Sequence, residues 1–428
     1  MISTPSTRPT KPIVGFWRKL GPGLVTGASD DDPSGIGTYS QVGAQFGFTM
    51  LWTMLFSYPL MSAVQMISAR IGRTTGEGIA GNIRRHYPAW LLYALVSLLL
   101  AANVINIGAD LGAMGAAIQL LVGGPHLAYV VAVAALSTVL QVFVPYRKYV
   151  RYLKWLTLSL FAYVATVVVV HVPWAAALRQ TVLPSLEFTR EYLTAFIAVL
   201  GTTISPYLFF WQASQEVEDV EACKEEQPLR EAPRQAPGQL GRIRIDTLLG
   251  MAFSNIVAWA IILTTAATLH AHGKTDIATA EQAAQALAPL AGRLALVLFA
   301  AGIVGTGLLA VPVLAGSAAY SVGEALKWPV GLERKPRQAR GFYAVIAAAT
   351  MVGAVQNFLH INPMKALFWT AVINGVVAVP VLVVMMLVSG NAKVMGKLAI
   401  GGALKTFGWI TTLVMLAAAI GMFVTMGR

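Results

Sequence analysis

Apolar runs long enough to cross a bilayer recur along the whole chain, and no other feature constrains its fold as strongly. A span needs about 20 apolar residues, far more than one strand or helix of a small soluble core. Inside lipid every backbone amide needs a partner within its own helix or in a closed barrel. These runs are continuous and lack the apolar/polar alternation of barrel strands, so helices are predicted. Eleven segments are read: 17–46 (interrupted), 49–70, 88–121, 127–145, 155–174, 193–216 (interrupted), 246–269, 291–320, 341–358, 364–388 and 406–426. Charged residues make up 12% of the chain, about half the fraction of a soluble domain. A soluble enzyme, a disordered chain and a nucleic-acid binder are thereby excluded. The single Cys223 excludes a disulfide framework and a thiolate-rich metal site. Residues 1–16 form a polar tail without the features of a cleavable secretory signal.

The net charge of +12 is a topology signal rather than a nucleic-acid signal. Lys and Arg concentrate on the side of the membrane where loops are not translocated. Counting the N-terminus and every second loop as one side, that side holds 25 of the 31 basic residues, from Arg8 through Arg70, Arg73, Arg84, Arg85 and Arg242 to Lys405. The other side holds Arg179, Arg190, Lys274, Arg293, Lys365 and Arg428. The expectation is a cytoplasmic N-terminus and an outer C-terminus, in a bacterial inner (plasma) membrane. Residues 217–245, rich in acids and carrying Pro228, Pro233 and Pro237, read as a flexible cytoplasmic linker between two halves.

Two segments are broken near their middles. The first runs Gly21-Pro22-Gly23 to Asp30-Asp31-Asp32-Pro33-Ser34-Gly35, and the second Gly201-Thr202-Thr203-Ile204-Ser205-Pro206-Tyr207. Proline removes a backbone donor, glycine loosens the turn, and three carboxylates are costly at membrane depth. Such backbone survives only where it is buried in protein or lines a wet cavity. The breaks fall in segments one and six, the placement expected of a five-plus-five inverted repeat. The halves would then be 17–174 and 193–388, with 406–426 as an additional helix. Free carbonyls and an acid at the midplane make an oxygen-only cation site.

The residues of the first break, with their eight-residue spacing from Gly23 to Asp32, resemble the GPG…DPGN signature of the NRAMP (natural resistance-associated macrophage protein) divalent-metal transporters. Ser68-Ala69-Arg70-Ile71-Gly72 with Thr75-Gly76, Ala109-Asp110-Leu111, Gly201 to Tyr207 and Met395-Gly396 extend the resemblance over nearly the whole chain. It implies the LeuT-type fold, eleven or twelve helices and a divalent metal ion as substrate. Where the family has asparagine, methionine, histidine and glutamate, this chain has Gly35, Ser205, Tyr207 and Ala113. A thioether suits soft ions, and its loss removes a barrier to hard ones. Mg²⁺ keeps several waters and is typically held by one or two carboxylates. The pattern is similar to the NRAMP-related magnesium-transporter branch.

By family position the metal ligands are Asp32, the Thr202 carbonyl and Ser205, with Asp31 after them. Gly35, Asp110, Tyr207, Asn374 and Asp30 are placed along the pathway or around the ligands. Asn103, Asn106 and Asp110 share one face of the third segment at helical spacing, as a proton path, a polar cavity wall or an interhelical network. The six histidines fall at segment ends or in loops, and His270-x-His272 reads as solvated loop. Met61, Met66, Met114, Met251, Met351 and Met364 read as packing, and the glycines of 302–307 as close helix contact. Trp17, Trp90, Trp174 and Trp328 read as interfacial anchors. No phosphate-binding loop is present, so transport driven by the chain's own ATP hydrolysis is not expected; no paired nucleophile and base lies in the apolar segments, so no enzyme activity and no cofactor are expected. The rival readings are a proton-coupled Mn²⁺/Fe²⁺ importer and a sodium-coupled amino-acid carrier on the same fold, whose carboxylate the three aspartates would repel.

Overall fold

The computed structural model describes residues 22–144, 156–223 and 225–427. The N-terminal tail, Trp17, Gly21, the basic loop 145–155 and Lys224 lie outside the described residues. The chain is helical, with no strand among the described residues. The helices are α1 (Pro22–Asp30), α2 (Pro33–Phe46), α3 (Trp52–Thr75), α4 (Ala89–Val122), α5 (His126–Phe143), α6 (Phe161–Val169), α7 (Arg190–Thr203), α8 (Pro206–Ala222), α9 (Ala236–Thr268), α10 (Ala295–Leu326), α11 (Arg340–Gln356), α12 (Pro363–Gly390) and α13 (Gly402–Met426). The pairs α1/α2 and α7/α8 are the two interrupted spans, so eleven spans result. Eight of them meet the length and hydropathy of a membrane helix outright. The first span carries three acids, α6 is short, and α3 is rich in Ser, Thr and Gln as well as carrying Arg70 and Arg73.

The inverted repeat is visible in the packing. Helix α9 lies along α2 as α3 lies along α8, α5 packs on α4 as α11 packs on α10, and α4 and α10 face each other at the centre. Glycine makes the central contact close: a Cβ on Gly307 of α10 would collide with the Met114 side chain of α4. Trp90, Trp174 and Trp328 are exposed at helix ends, as interfacial anchors require.

Residues 217–245 are not a flexible linker. Helix α8 continues to Ala222, α9 begins at Ala236, and the chain between them is clamped. The Leu229 and Arg230 amides donate to the Arg73 and Thr74 carbonyls at 3.1 and 3.0 Å, filling acceptors that the end of α3 would leave open. Leu229 is fully buried. Arg73 pairs with Glu226 and lies 3.9 Å from Glu216, and Glu216 also accepts from Arg242. Glu226 of this stretch, with Glu216 just before it, thus neutralises arginines of α3 and α9. Two short helices, Ile79–His86 and Trp174–Val182, were likewise not foreseen: each is shorter than a span and lies between two spans.

Candidate metal site

Asp32 is held by the first break itself. It is the N-cap of α2, with Pro33 as the first helical residue, a pairing that begins a helix without wasting a donor. Its Oδ1 accepts from the Gly35 amide and the Ser34 hydroxyl, both at 2.7 Å. Its Oδ2 accepts from Asn106 of α4 at 3.1 Å and, at the limit of 3.5 Å, from the Tyr207 hydroxyl of α8. Tyr207 also donates to the Ser29 carbonyl at 3.2 Å, joining the two breaks. Asp110, one turn beyond Asn106, is buried facing Asp32 and the Ser34 backbone, with no side-chain partner.

Asp30 and Asp31 turn the other way. Ser254 of α9 donates to Asp30 Oδ2 at 2.5 Å and to Asp31 Oδ1 at 3.1 Å. The remaining oxygens, Asp30 Oδ1 and Asp31 Oδ2, have no hydrogen-bond partner. All four acids are at most 1% exposed. Four buried carboxylates with unused acceptor capacity need either a cation or a proton, since an isolated buried charge is expensive. They do not converge on one point: no group of three or more His, Cys, Asp or Glu side chains is placed to hold an ion among the described residues.

The second break supplies neutral oxygens. Helix α7 ends at Thr203, and Ser205 precedes Pro206 as N-cap of α8. The Ser205 hydroxyl donates back to the Gly201 and Thr202 carbonyls at 2.8 and 3.0 Å. Its one proton is thus spent on α7, and toward an ion it offers only lone pairs. Thr202 and Gly35 are neighbours: a Cβ on Gly35 would lie 3.1 Å from Thr202 Oγ1 and 3.4 Å from the Asp30 carbonyl oxygen. A Cβ on Gly201 would lie 2.8 Å from Gly375 Cα, so α7 and α12 touch through backbone. That contact brings Asn374 alongside, buried and with neither amide atom partnered. The first break, the second break, Asp110, Tyr207 and Asn374 therefore share one neighbourhood, while the histidines stay away from it. His270 donates to the Ala44 carbonyl at 2.8 Å and His126 to that of Gly112 at 2.9 Å.

Toward the end of the basic loops, α1 is held against α9. There the Gly23 amide donates to Asp246 of α9 at 2.7 Å, and a Cβ on Gly27 would lie 2.7 Å from Gly250 Cα. Toward the opposite end, a cavity of about 250 Å³ lined by Gly37, Gln41, Asp276 and Lys365 begins just beyond α2's first turn. Ser254 and Asp246 were not foreseen. Their signal was the four-residue spacing Arg242, Asp246, Gly250, Ser254, which puts polar and small residues on one face of an otherwise apolar helix.

A sequence profile described as natural resistance-associated macrophage protein-like matches residues 23–425. The chain belongs to this family. It is therefore an integral membrane transporter and not an enzyme. Among solved structures it is similar to the Eremococcus coleocola manganese transporter in complex with an aromatic bis-isothiourea substituted compound. The TM-score is 0.78 at 15% identity, over 98% of this chain and 89% of that one. The H236A mutant of the same transporter aligns at 0.76 and 15%, over 97% and 88%. Mhp1, a nucleobase-cation-symport-1 family transporter in a closed conformation, aligns at 0.58 and 12%, over 95% and 92%. These likenesses establish the LeuT-type architecture that the NRAMP resemblance implied.

Proposed function

We propose that this NRAMP-family chain is a secondary transporter or facilitator of divalent metal cations, carrying Mg²⁺ and, less well, Mn²⁺. Asp32 is its central ligand, helped by Asp31, the Thr202 carbonyl and the Ser205 hydroxyl. Asp30, Gly35, Asp110, Tyr207 and Asn374 form the surrounding pathway. The observation that carries this reading is a donor set of oxygens alone: three buried carboxylates at the first helix break, Asp110 on α4 beside them, and the neutral oxygens of the second break. Such a set suits a hard, partly hydrated ion. The basic loops face the cytoplasm of a bacterial cell in this reading, the C-terminus lies outside, and the cavity beside Gln41 faces the exterior.

The test is uptake of Mg²⁺, Mn²⁺ and Ca²⁺ into reconstituted vesicles. Wild type takes up Mg²⁺ in preference to Mn²⁺; Mn²⁺ uptake without Mg²⁺ uptake would overturn the hard-ion argument. Ser205→Met supplies a thioether beside the Thr202 carbonyl. It is expected to shift the Mn²⁺/Mg²⁺ preference about tenfold toward Mn²⁺, equivalent to about 1.4 kcal/mol. Gly35→Asn adds an amide beside Thr202 and deepens the shift.

A second reading, a proton-coupled Mn²⁺/Fe²⁺ importer, draws support from Asp110, an unpaired acid beside Asp32. The chain lacks the family's histidine and glutamate at Tyr207 and Ala113, and the membrane potential alone favours cation entry by about 2.3 kcal/mol per charge per 100 mV. Uptake is therefore expected to proceed with little proton flow. Vesicles loaded with a pH dye should stay near their starting pH during Mg²⁺ entry. Metal-dependent acidification lost in Asp110→Asn would establish the coupled reading instead.

A further inference from the structure

The three aspartates of the first break are adjacent in sequence, yet α9 treats them differently. The four-residue stripe on α9 follows α1 rung by rung. Asp246 accepts from the Gly23 amide at 2.7 Å, Gly250 touches Gly27 through main chain, and Ser254 reaches Asp30 and Asp31. The two lower rungs fix the height and rotation of α9 against α1, and so fix where the Ser254 hydroxyl sits. That hydroxyl has a single proton for two carboxylates. It lies at 2.5 Å from Asp30 Oδ2 and 3.1 Å from Asp31 Oδ1, so the strong, charge-assisted bond goes to Asp30. Each acid keeps one oxygen without a partner, so what separates them is the other oxygen, held at 2.5 Å in Asp30 and only at 3.1 Å in Asp31.

We infer that Ser254 is a positioning residue that ties down Asp30 and thereby leaves Asp31 as the acid available to the transported ion. This rests on the function proposed above and adds a division of labour within it. Asp30 is anchored to α9 and contributes charge; Asp31 is the carboxylate whose lone pairs remain for the ion or its water shell. Ser254 itself does not touch the ion. It acts as ligand-orienting groups beside metal sites do, where loss of the orienting partner lowers metal affinity about 10–100-fold. Without the hydroxyl, both carboxylates are free to rotate, and the ion must order them at its own expense. The Asp246 and Gly250 rungs still hold α1, so turnover at saturating ion is preserved.

The experiment compares wild type with Ser254→Ala, Ser254→Thr, Asp30→Asn and Asp31→Asn. Mg²⁺ and Mn²⁺ binding is measured by titration of the purified protein, and uptake into vesicles is measured in parallel. Ser254→Ala is expected to raise the half-saturating Mg²⁺ concentration about tenfold, with the maximal rate within about twofold of wild type. Ser254→Thr, which keeps the hydroxyl, is expected to bring affinity back toward wild type. Asp31→Asn is expected to cost more affinity than Asp30→Asn. Unchanged affinity in Ser254→Ala, a lowered maximal rate with unchanged affinity, or a larger loss from Asp30→Asn than from Asp31→Asn would each overturn the assignment. If wild type itself binds neither ion, the proposed function falls and the role of Ser254 falls with it. Wild-type binding matched by Ser254→Ala removes only the role of Ser254.

Discussion

Asp32→Asn is expected to abolish uptake of every divalent cation tested, by at least about 100-fold, in protein that inserts normally. The substitution keeps the size of the side chain and removes its charge. The four donors around Asp32 sit on the first turn of α2 (two of them), on α4 and on α8, so this one carboxylate joins the break to both neighbouring walls. The asparagine oxygen can still accept from the Gly35 amide, since a neutral acceptor caps a helix nearly as well. Folding is therefore expected to survive, and what is lost is the charge that offsets the ion's dehydration. Losing an orienting group near a metal already costs 10–100-fold, so losing the central ligand costs at least the top of that range. Size-exclusion behaviour like wild type with near-normal Mg²⁺ uptake would remove Asp32 from the centre of the site.

Glu216→Ala is expected to be the most destabilising single change in the charged cluster at the basic-loop end. Glu216 is wholly buried between Arg242 and Arg73, and Arg73 is 1% exposed. Deleting the carboxylate leaves two guanidinium groups without the buried acid between them, and breaking a buried pair in this way costs about 3–5 kcal/mol. The thermal unfolding midpoint in detergent should drop clearly. Replacing Glu216 and Arg242 together by leucine should recover part of the loss, because the second change removes the orphaned charge. A single alanine variant as stable as wild type would mean that the cluster contributes nothing to holding α3, α8 and α9 together.

Much of this arrangement is legible in the chain before any coordinates are seen. Length and hydropathy give eleven spans because a bilayer imposes a minimum apolar length. The breaks at Asp30–Pro33 and Ile204–Pro206 stand out because acids and prolines are exceptional in such spans. What stays hidden is which way each acid points. Asp30, Asp31 and Asp32 look equivalent as a string, and only the start of α2 at Pro33 turns Asp32 toward Asn106 while its neighbours meet Ser254. The clamped stretch around Leu229 is hidden for a related reason. A charged, proline-bearing segment reads as solvated unless its partners are known, and those partners, Arg73 and Thr74, lie more than 150 residues earlier. Ser254 escapes notice because one hydroxyl in an apolar helix usually satisfies itself against its own backbone.

The meeting of Gly27 with Gly250 has a mechanical consequence. Where interlocked side chains separate, each must leave one rotamer well and find another, and the surfaces part in discrete steps. Two strips of bare main chain have no teeth to disengage. Their adhesion is dispersion alone, small for each pair of atoms and proportional to the area in touch. Where α1 meets α9, this smooth joint lies between two polar contacts, at Gly23 below and at the aspartates above, so parting the two helices turns on those polar bonds rather than on the packing between them.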